Sequence, residues 1–234
     1  MNTLIFALTF LVAVSARAQL PTTSPKAAGF DPARLEVLHA TTRRFVDEGK
    51  HAGILTLRAR DGKIVDFRAY GYRDVEKQLP MERDTIFVEH KPIVETWPEP
   101  GRGIEAGGAG ILSTAGDYAR FAKMLCNGGT LDGQRVLGRK TIELMTANHM
   151  VTLPNNQAAT RQKGFGFGVE VTTDLGQLSV PSSLGQFGWY GAATTYCQID
   201  PTERIVAISL AQHFPFNEHN FFAQFQTGYY QALK

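Results

Sequence analysis

Residues 185–196 read Gly185-Gln186-Phe187-Gly188-Trp189-Tyr190-Gly191-Ala192-Ala193-Thr194-Thr195-Tyr196, and they say more about the architecture than any other part of the chain. Small residues recur here beside aromatic ones, a composition that lets the backbone of a strand approach another chain closely. A strand pattern continues over 195–199. After the turn Asp200-Pro201-Thr202-Glu203, the run over 205–211 is apolar enough for a central strand.

Helices are predicted over 31–48, 115–126, 139–148 and 217–233. The first has Asp31 as a cap and Pro32 at its first helical position. Thr114 and Asp117 have the spacing of a capping box for the second helix. Asn217 is the predicted cap of the last one.

Alternating apolar residues predict the remaining strands. A hairpin is expected over 54–70 with its tight turn at Asp61-Gly62, and another strand is expected near 165–171. The fold class is therefore α/β (α+β). Strands near 54–70, 165–171, 193–199 and 205–211 form one antiparallel sheet, and the N- and C-terminal helices pack on a common face of it.

The stretch 185–196 resembles the third active-site box of the group that contains serine β-lactamases, penicillin-binding proteins and family VIII carboxylesterases. Four further segments resemble that group: Gly29-Phe30-Asp31-Pro32-Ala33-Arg34-Leu35, Tyr70-Gly71-Tyr72-Arg73-Asp74, Asp84-Thr85-Ile86-Phe87, and residues 107–118 with their Gly-Gly-x-Gly and Ser-Thr-Ala-x-Asp patterns. The resemblance covers roughly residues 28–87 and 105–234. It implies a β-lactamase/transpeptidase-like fold.

The nucleophile of that group does not match. Its members take a catalytic serine from Ser-x-x-Lys, and this sequence has neither Ser-x-x-Lys nor the accompanying Tyr-x-Asn. A Pro-rich segment, with His90-Lys91-Pro92 and Trp97-Pro98-Glu99-Pro100, stands where the group has a long helix and an all-helical lobe. We expect a single domain over 19–234 with an internal deletion near 88–105 and the helical lobe largely missing.

The resemblance assigns substrate binding to Trp189, Tyr190, Gly191 and Ala192, with the Ala192 N–H as an oxyanion donor. No catalytic residue is secure. The same residues also fit a simple sheet edge without a subsite. The implied function is a serine hydrolase homologue, of the ester, β-lactam or D-Ala peptide class, that is inactive as given. Two alternatives stay open: a residual small-ester hydrolase, and a non-catalytic binding module for cell-wall or acyl ligands.

Other polar candidates have simpler interpretations. Ser113 and Thr114 are expected to cap a helix, and the Thr-x-x-Lys spacings that end at Lys26 and Lys163 fall in predicted loops. His213 and His219 lack a His-Glu-x-x-His arrangement and are expected at the surface. No metal site and no cofactor are implied.

The composition and the N-terminal sequence limit which partners and which cellular compartment are expected for the chain. A net charge of +2 without a basic run gives no nucleic-acid signature. The apolar run over 4–14, followed by Ser15-Ala16-Arg17-Ala18, predicts a signal peptide over 1–18, although a buried helix is the alternative. The chain is then exported, periplasmic or secreted, without a membrane span.

The two cysteines and the missing lobe give two further expectations. Cys126 and Cys197 are expected as separate buried thiols rather than a disulfide pair, although an oxidising compartment would permit pairing. Loss of a helical lobe should expose apolar surface on the sheet and on the helix over 115–126. Such surface favours self-association.

Overall fold

A computed structural model describes residues 19–88, 112–150, 163–176 and 178–234. The helices are α1 (Pro32–Asp47), α2 (Ala115–Cys126), α3 (Arg139–Met145) and α4 (Phe221–Gln231). The strands are β1 (Gly53–Arg60), β2 (Lys63–Asp74), β3 (Leu79–Pro80), β4 (Phe87–Val88), β5 (Leu112–Ser113), β6 (Thr130–Leu131), β7 (Gln134–Arg135), β8 (Lys163–Phe165), β9 (Glu170–Thr172), β10 (Phe187–Gly191), β11 (Thr195–Asp200) and β12 (Ile205–Ala211).

Eight strands form one antiparallel sheet in the order β3-β2-β1-β12-β11-β10-β9-β8. The predicted hairpin turn is confirmed: Arg60 pairs with Lys63, and both Asp61 and Gly62 have positive φ. β12 lies at the centre, paired with β1 on one side and β11 on the other, and every residue of β12 is buried. The predicted α/β (α+β) class with an antiparallel sheet between two terminal helices is therefore confirmed.

Alternation along the strands gives the sheet two buried faces. We call the face covered by α2 the front face; it carries aliphatic residues such as Leu57, Val206 and Ile208. The other, the back face, is covered by α1 and α4 and is rich in aromatic side chains such as Phe225 and Tyr229. The two terminal helices thus share one face, as predicted.

Side-chain caps explain where two helices begin. An Asp31 carboxylate oxygen accepts a hydrogen bond from the Ala33 N–H at 2.9 Å, which satisfies a free donor at the start of α1. Thr114 Oγ1 accepts from the Asp117 N–H at 3.2 Å at the start of α2. The predicted start of α4 lies too early in the sequence. The helix begins at Phe221 rather than near Asn217, although Asn217 Oδ1 still accepts from the Phe222 N–H at 3.1 Å.

Two predicted elements differ in extent. The strand expected near 165–171 is two short strands, β8 and β9, because the chain turns at Gly168, which has a φ of +76°. The Gly166 N–H donates to the Val169 C=O at 2.8 Å across that turn. The helix expected over 139–148 ends at Met145, whose C=O accepts from the Phe167 N–H at 2.9 Å.

Both cysteines are free thiols, in agreement with the prediction. Cys197 is buried in β11 and Cys126 is half-buried on α2, and burial raises the pKa of each thiol to about 12. None of the helices within the described ranges is long and apolar enough to cross a membrane. The predicted signal peptide and most of the region near 88–105, including His90-Lys91-Pro92 and Trp97, lie outside the described residues.

Candidate functional site

The resemblance pointed to β10, and the structure shows why this strand is unusual. All five of its residues pair with β11, but only Phe187 and Gly188 pair with β9. Residues 189–191 therefore have one edge that pairs with no strand among the described parts of the chain. Among the described residues, the second half of β10 is therefore a sheet edge, whereas its first half lies inside the sheet.

Trp189 flanks the unpaired edge. Its side chain is 39% exposed, an unusual exposure for so large an apolar group. The Phe165 ring meets the Trp189 ring edge-on, with ring centroids 5.0 Å apart. β8 and β10 thus present two aromatic rings beside an open strand edge, an arrangement that can accept an apolar group of an extended ligand.

Tyr190 serves a different purpose. Its ring packs against the back face, 5.0 Å from the Phe216 ring and 6.4 Å from the Phe222 ring, and it also stacks on Trp189 at 4.5 Å. Burial raises the pKa of the Tyr190 phenol, and the nearby Glu170 carboxylate raises it further. The phenol therefore stays protonated at neutral pH and cannot serve as a ready base.

Gly191 and Ala192 begin a turn that is held tightly. Thr194 has a positive φ of 61°, a conformation that a β-branched residue adopts only when its surroundings impose it. Its hydroxyl donates to the His213 C=O at 3.0 Å and accepts from the Asn217 N–H at 3.0 Å. The His213 N–H donates to the Ala193 C=O at 3.1 Å. The turn that carries Ala192 is therefore fixed by the loop between β12 and α4.

That loop also contains a cluster that the sequence did not reveal. His213, Glu218 and His219 have ligand atoms within 4.8 Å of one another. His51 lies against them, with its ring centroid 4.3 Å from that of His213 and 6.0 Å from that of His219. The side chains of His213 and His219, predicted at the surface, are partly exposed, at 16% and 28%. Sequence reasoning missed the cluster because His51 is distant in the chain.

His51 itself is almost fully buried. Burial, together with the neighbouring His213 and His219, lowers the pKa of its imidazole to about 4. The ring is therefore neutral at neutral pH, which is the form that a metal ion or a hydrogen-bond donor can use.

The remaining candidates lie where capping or ion pairing explains them. Thr114 caps α2, and the Ser113 hydroxyl donates to the Thr114 C=O at 3.1 Å. Lys163 forms an ion pair with Glu170 across β8 and β9, and Lys26 is exposed in a short helical turn. The hydroxyl of Thr160 lies outside the described residues.

Comparison with known proteins gives a consistent result. The sequence profile of the Beta-lactamase family matches residues 89–227, more than half of the chain. An uncharacterized protein of Mycobacterium tuberculosis (strain CDC 1551 / Oshkosh) is 36% identical over 116 residues, which are 46% of this chain and 29% of that protein. A protein of Escherichia coli (strain K12), provisionally named a D-alanyl-D-alanine carboxypeptidase, is 30% identical over 118 residues, 47% of this chain and 24% of its own. The chain thus spans less than a third of the length of these relatives.

Solved structures share the fold. EstCE1, described as a hydrolase with promiscuous acyltransferase activity, superposes with a TM-score of 0.70 at 14% identity and covers 85% of this chain and 98% of its own. A penicillin-binding protein homologue from Caulobacter crescentus superposes with a TM-score of 0.66 at 12% identity, covering 88% and 99%. Identities this low establish a common architecture and no shared activity.

Proposed function

This chain belongs to the β-lactamase family, and from that premise we propose that it binds an extended acyl or peptide ligand along β10 without cleaving it. The observation that carries the proposal is the half-paired strand, whose residues 189–191 keep one edge unpaired among the described residues. Extended ligands add to such an edge through main-chain hydrogen bonds, while side-chain contacts select among them.

The surroundings of the edge indicate the ligand class. Trp189 and Phe165 supply an apolar contact, and the Ala192 N–H supplies a donor for a ligand carbonyl at the fixed turn. A short acyl group with a neighbouring amide or ester carbonyl satisfies both. The name of the Escherichia coli relative favours a cell-wall peptide as the first ligand to test.

Absence of cleavage follows from the residues. Acyl transfer requires a nucleophile within hydrogen-bond reach of a base, and the sequence has neither Ser-x-x-Lys nor Tyr-x-Asn. Loss of the nucleophile costs about a millionfold in kcat in a comparable serine hydrolase. The hydroxyls of Ser113 and Thr114 are engaged at the start of α2. The chain is then a binding homologue of a hydrolase.

The strands that flank residues 89–111 support an internal deletion. β4 and β5 pair antiparallel, with Phe87 opposite Ser113 and Val88 opposite Leu112. The two ends of the segment 89–111 therefore lie next to each other. A lobe that had been attached there could be lost without disturbing the sheet order, because neither β4 nor β5 belongs to the eight-stranded sheet.

A chemical-shift titration tests ligand binding directly. We expect a cell-wall peptide ending in D-alanyl-D-alanine, or a short acyl ester, to shift resonances over 187–196 at millimolar concentration. Trp189→Ala should weaken binding about tenfold, the effect of losing roughly 1.4 kcal/mol of contact. Phe121→Ala, which removes an exposed aromatic ring on α2, is the matched control and should leave the titration unchanged. Absence of shifts with both ligands would refute the binding proposal.

Covalent probes test the absence of catalysis separately. We expect no adduct with a fluorophosphonate or a labelled β-lactam when the intact chain is analysed by mass spectrometry. One stoichiometric adduct mapped to a serine or threonine would replace this proposal with the small-ester hydrolase alternative. The titration and the labelling can fail independently, so the binding and catalytic parts of the proposal are distinguishable.

Export is proposed on the sequence pattern over 1–18. Leu20, which directly follows the predicted mature N-terminus at Gln19, is buried in the front-face core. Expression of the full chain in a Gram-negative host should yield a mature N-terminus at Gln19 in the periplasmic fraction. An intact Met1 on protein recovered from the cytoplasm would contradict export.

A further inference from the structure

The histidine cluster joins three parts of the fold that are distant in sequence. His51 immediately precedes the strand region of β1, His213 follows β12, and His219 precedes α4. Glu218 lies between the two later histidines, with an Oε2 atom 3.4 Å from His213 Nε2 and 3.7 Å from His219 Nε2. None of these side chains takes part in the ligand site proposed at β10.

His51 lacks the partners that a buried polar side chain normally has. It is 2% exposed, and neither ring nitrogen has a hydrogen-bond partner among the described residues. His213 Nε2, also buried, has no hydrogen bond of acceptable geometry there either. Buried polar atoms without partners are rare in folded proteins, and each one costs stability, so such a group suggests an absent ligand or ion.

We propose that His213, Glu218 and His219 bind one zinc ion and that His51 completes the site as a fourth ligand. The donor set is three imidazole nitrogens and one carboxylate oxygen, which suits zinc and other late divalent metals rather than Mg²⁺ or Ca²⁺. The site would be separate from the chemistry of the β-lactamase family, since no Ser-x-x-Lys or third-box residue is among its ligands.

Two of the separations between ligand atoms are close to those of a tetrahedral zinc site. Zinc bonds of about 2.0–2.1 Å place tetrahedral ligand atoms about 3.3 Å apart. The separations of 3.4 Å and 3.7 Å between Glu218 and the two histidine Nε2 atoms are near that value. Side-chain rotations would bring the ligand atoms of His213, Glu218 and His219, now within 4.8 Å of one another, around one ion. His51 would join them from the side of His213, whose ring centroid lies 4.3 Å from its own.

The position of the site indicates a structural role. His213 donates its backbone N–H to Ala193, and Asn217 donates to Thr194, so the loop that would hold the metal also holds the third-box turn. A zinc ion that links this loop to His51 would fix the turn against the start of β1. Binding should therefore stabilise the folded chain, because ligands that bind only the native state raise the melting temperature.

Zinc titration of the chelator-treated full chain is the primary test. We expect one zinc ion per chain at a micromolar or lower dissociation constant, with a higher melting temperature in its presence. His219→Ala and Glu218→Gln should each weaken zinc binding at least about tenfold. Both residues are partly exposed, so their variants should fold. His149→Ala is the matched control, because His149 is an exposed histidine stacked on Phe167 and should not affect binding.

Cobalt substitution identifies the ligands. Co²⁺ bound to the full chain should give the intense visible absorption of four-coordinate cobalt, and this absorption should weaken in His51→Gln and His219→Ala but not in His149→Ala. No saturable zinc binding, or binding that Glu218→Gln and His219→Ala both retain, would overturn the proposal. Binding that only His149→Ala removes would also overturn it.

Discussion

The two faces of the sheet are built differently, although one set of strands supplies both. The back face lies under two helices and interlocks aromatic rings, with Phe45 and Phe225 near Phe221. Its buried polar groups are connected: Gln186 donates to the Tyr229 hydroxyl, and the Tyr196 hydroxyl donates to Gln226. The front face is mainly aliphatic and has α2 as its main cover among the described elements.

The two faces also differ in how their charged side chains are buried. On the back face, Arg58 is 1% exposed and forms an ion pair with Asp66, which His39 also approaches at 3.0 Å. On the front side, apolar side chains such as Leu112 and Phe121 are instead exposed. The difference indicates that the back face contributes more to the stability of the fold, while the unpaired edge of β10 is the region proposed to bind ligands.

The largest effect is expected from a substitution that breaks the buried ion pair between Arg58 and Asp66. Asp66→Asn should lower the free energy of unfolding by about 3–5 kcal/mol at neutral pH, because it leaves the Arg58 guanidinium buried without a counter-charge. Asp132→Asn removes a partner of the partly exposed Arg120 and Lys123 and should cost about 0–1 kcal/mol. Equal effects in urea denaturation would remove the distinction between the faces.

Truncation of aromatic side chains tests the same comparison without charge. Phe225→Ala on the back face should cost about 3–5 kcal/mol, the usual cost of a fully buried phenylalanine. Phe121→Ala should cost less than about 1 kcal/mol, because that ring is 47% exposed. A thermal unfolding series that ranks Phe121→Ala as the more damaging variant would contradict the assignment of stability to the back face.

The pH dependence of stability tests the contribution of Asp66 to the back face. Burial alone would raise the pKa of Asp66, but the hydrogen bond from His39 and the charge of Arg58 outweigh it and hold the pKa well below its usual range. The carboxylate therefore stabilises the fold above pH about 4, and that stabilisation is lost as the pH falls towards the folded-state pKa. The difference in unfolding free energy between wild type and Asp66→Asn should shrink as the pH is lowered from neutral. A constant difference would show that the pKa of Asp66 is the same in the folded and the unfolded chain.

The smallest expected effect concerns self-association. Leu112 of β5 and Phe121 of α2 are exposed apolar side chains, and we propose that they support weak association of the chain. Phe121→Ser should shift the concentration at which dimers form upward by several-fold in analytical ultracentrifugation. Val37→Ser, an exposed apolar residue on α1, is the control and should leave it unchanged. A wild-type chain that stays monomeric at high concentration would contradict the proposal.

Local chemistry made much of the fold predictable. Asp31, Thr114 and the Asp61-Gly62 turn act within a few residues of themselves, so their sequence patterns translated directly into caps and a hairpin. The strand near 165–171 was not predicted correctly, because the turn at Gly168 interrupts an alternation that reads as continuous. The resemblance pointed to β10, but only the structure shows that the Trp189 ring meets Phe165 while the Tyr190 ring meets Phe216.

The histidine cluster was beyond sequence reasoning for a physical reason. His213 and His219 have no metal-binding spacing, and their third partner, His51, reaches them only because β1 pairs with β12. Long-range pairing of this kind has no local sequence signal. The buried state of His51 could have been inferred only from the apolar residues that follow it.

The reactivity of the two cysteine thiols reports how often the front face opens. Burial raises the pKa of both thiols to about 12 and keeps them protonated at pH 7, so we expect neither Cys126 nor Cys197 to react while α2 stays on the sheet. If α2 lifts as a separate cooperative unit, a disulfide reagent will modify both cysteines faster than the whole molecule unfolds. If the front face opens only when the whole molecule unfolds, both cysteines will react at the global unfolding rate. The rate of cysteine labelling in the native, unmodified chain therefore measures whether the front face opens independently of the rest of the molecule.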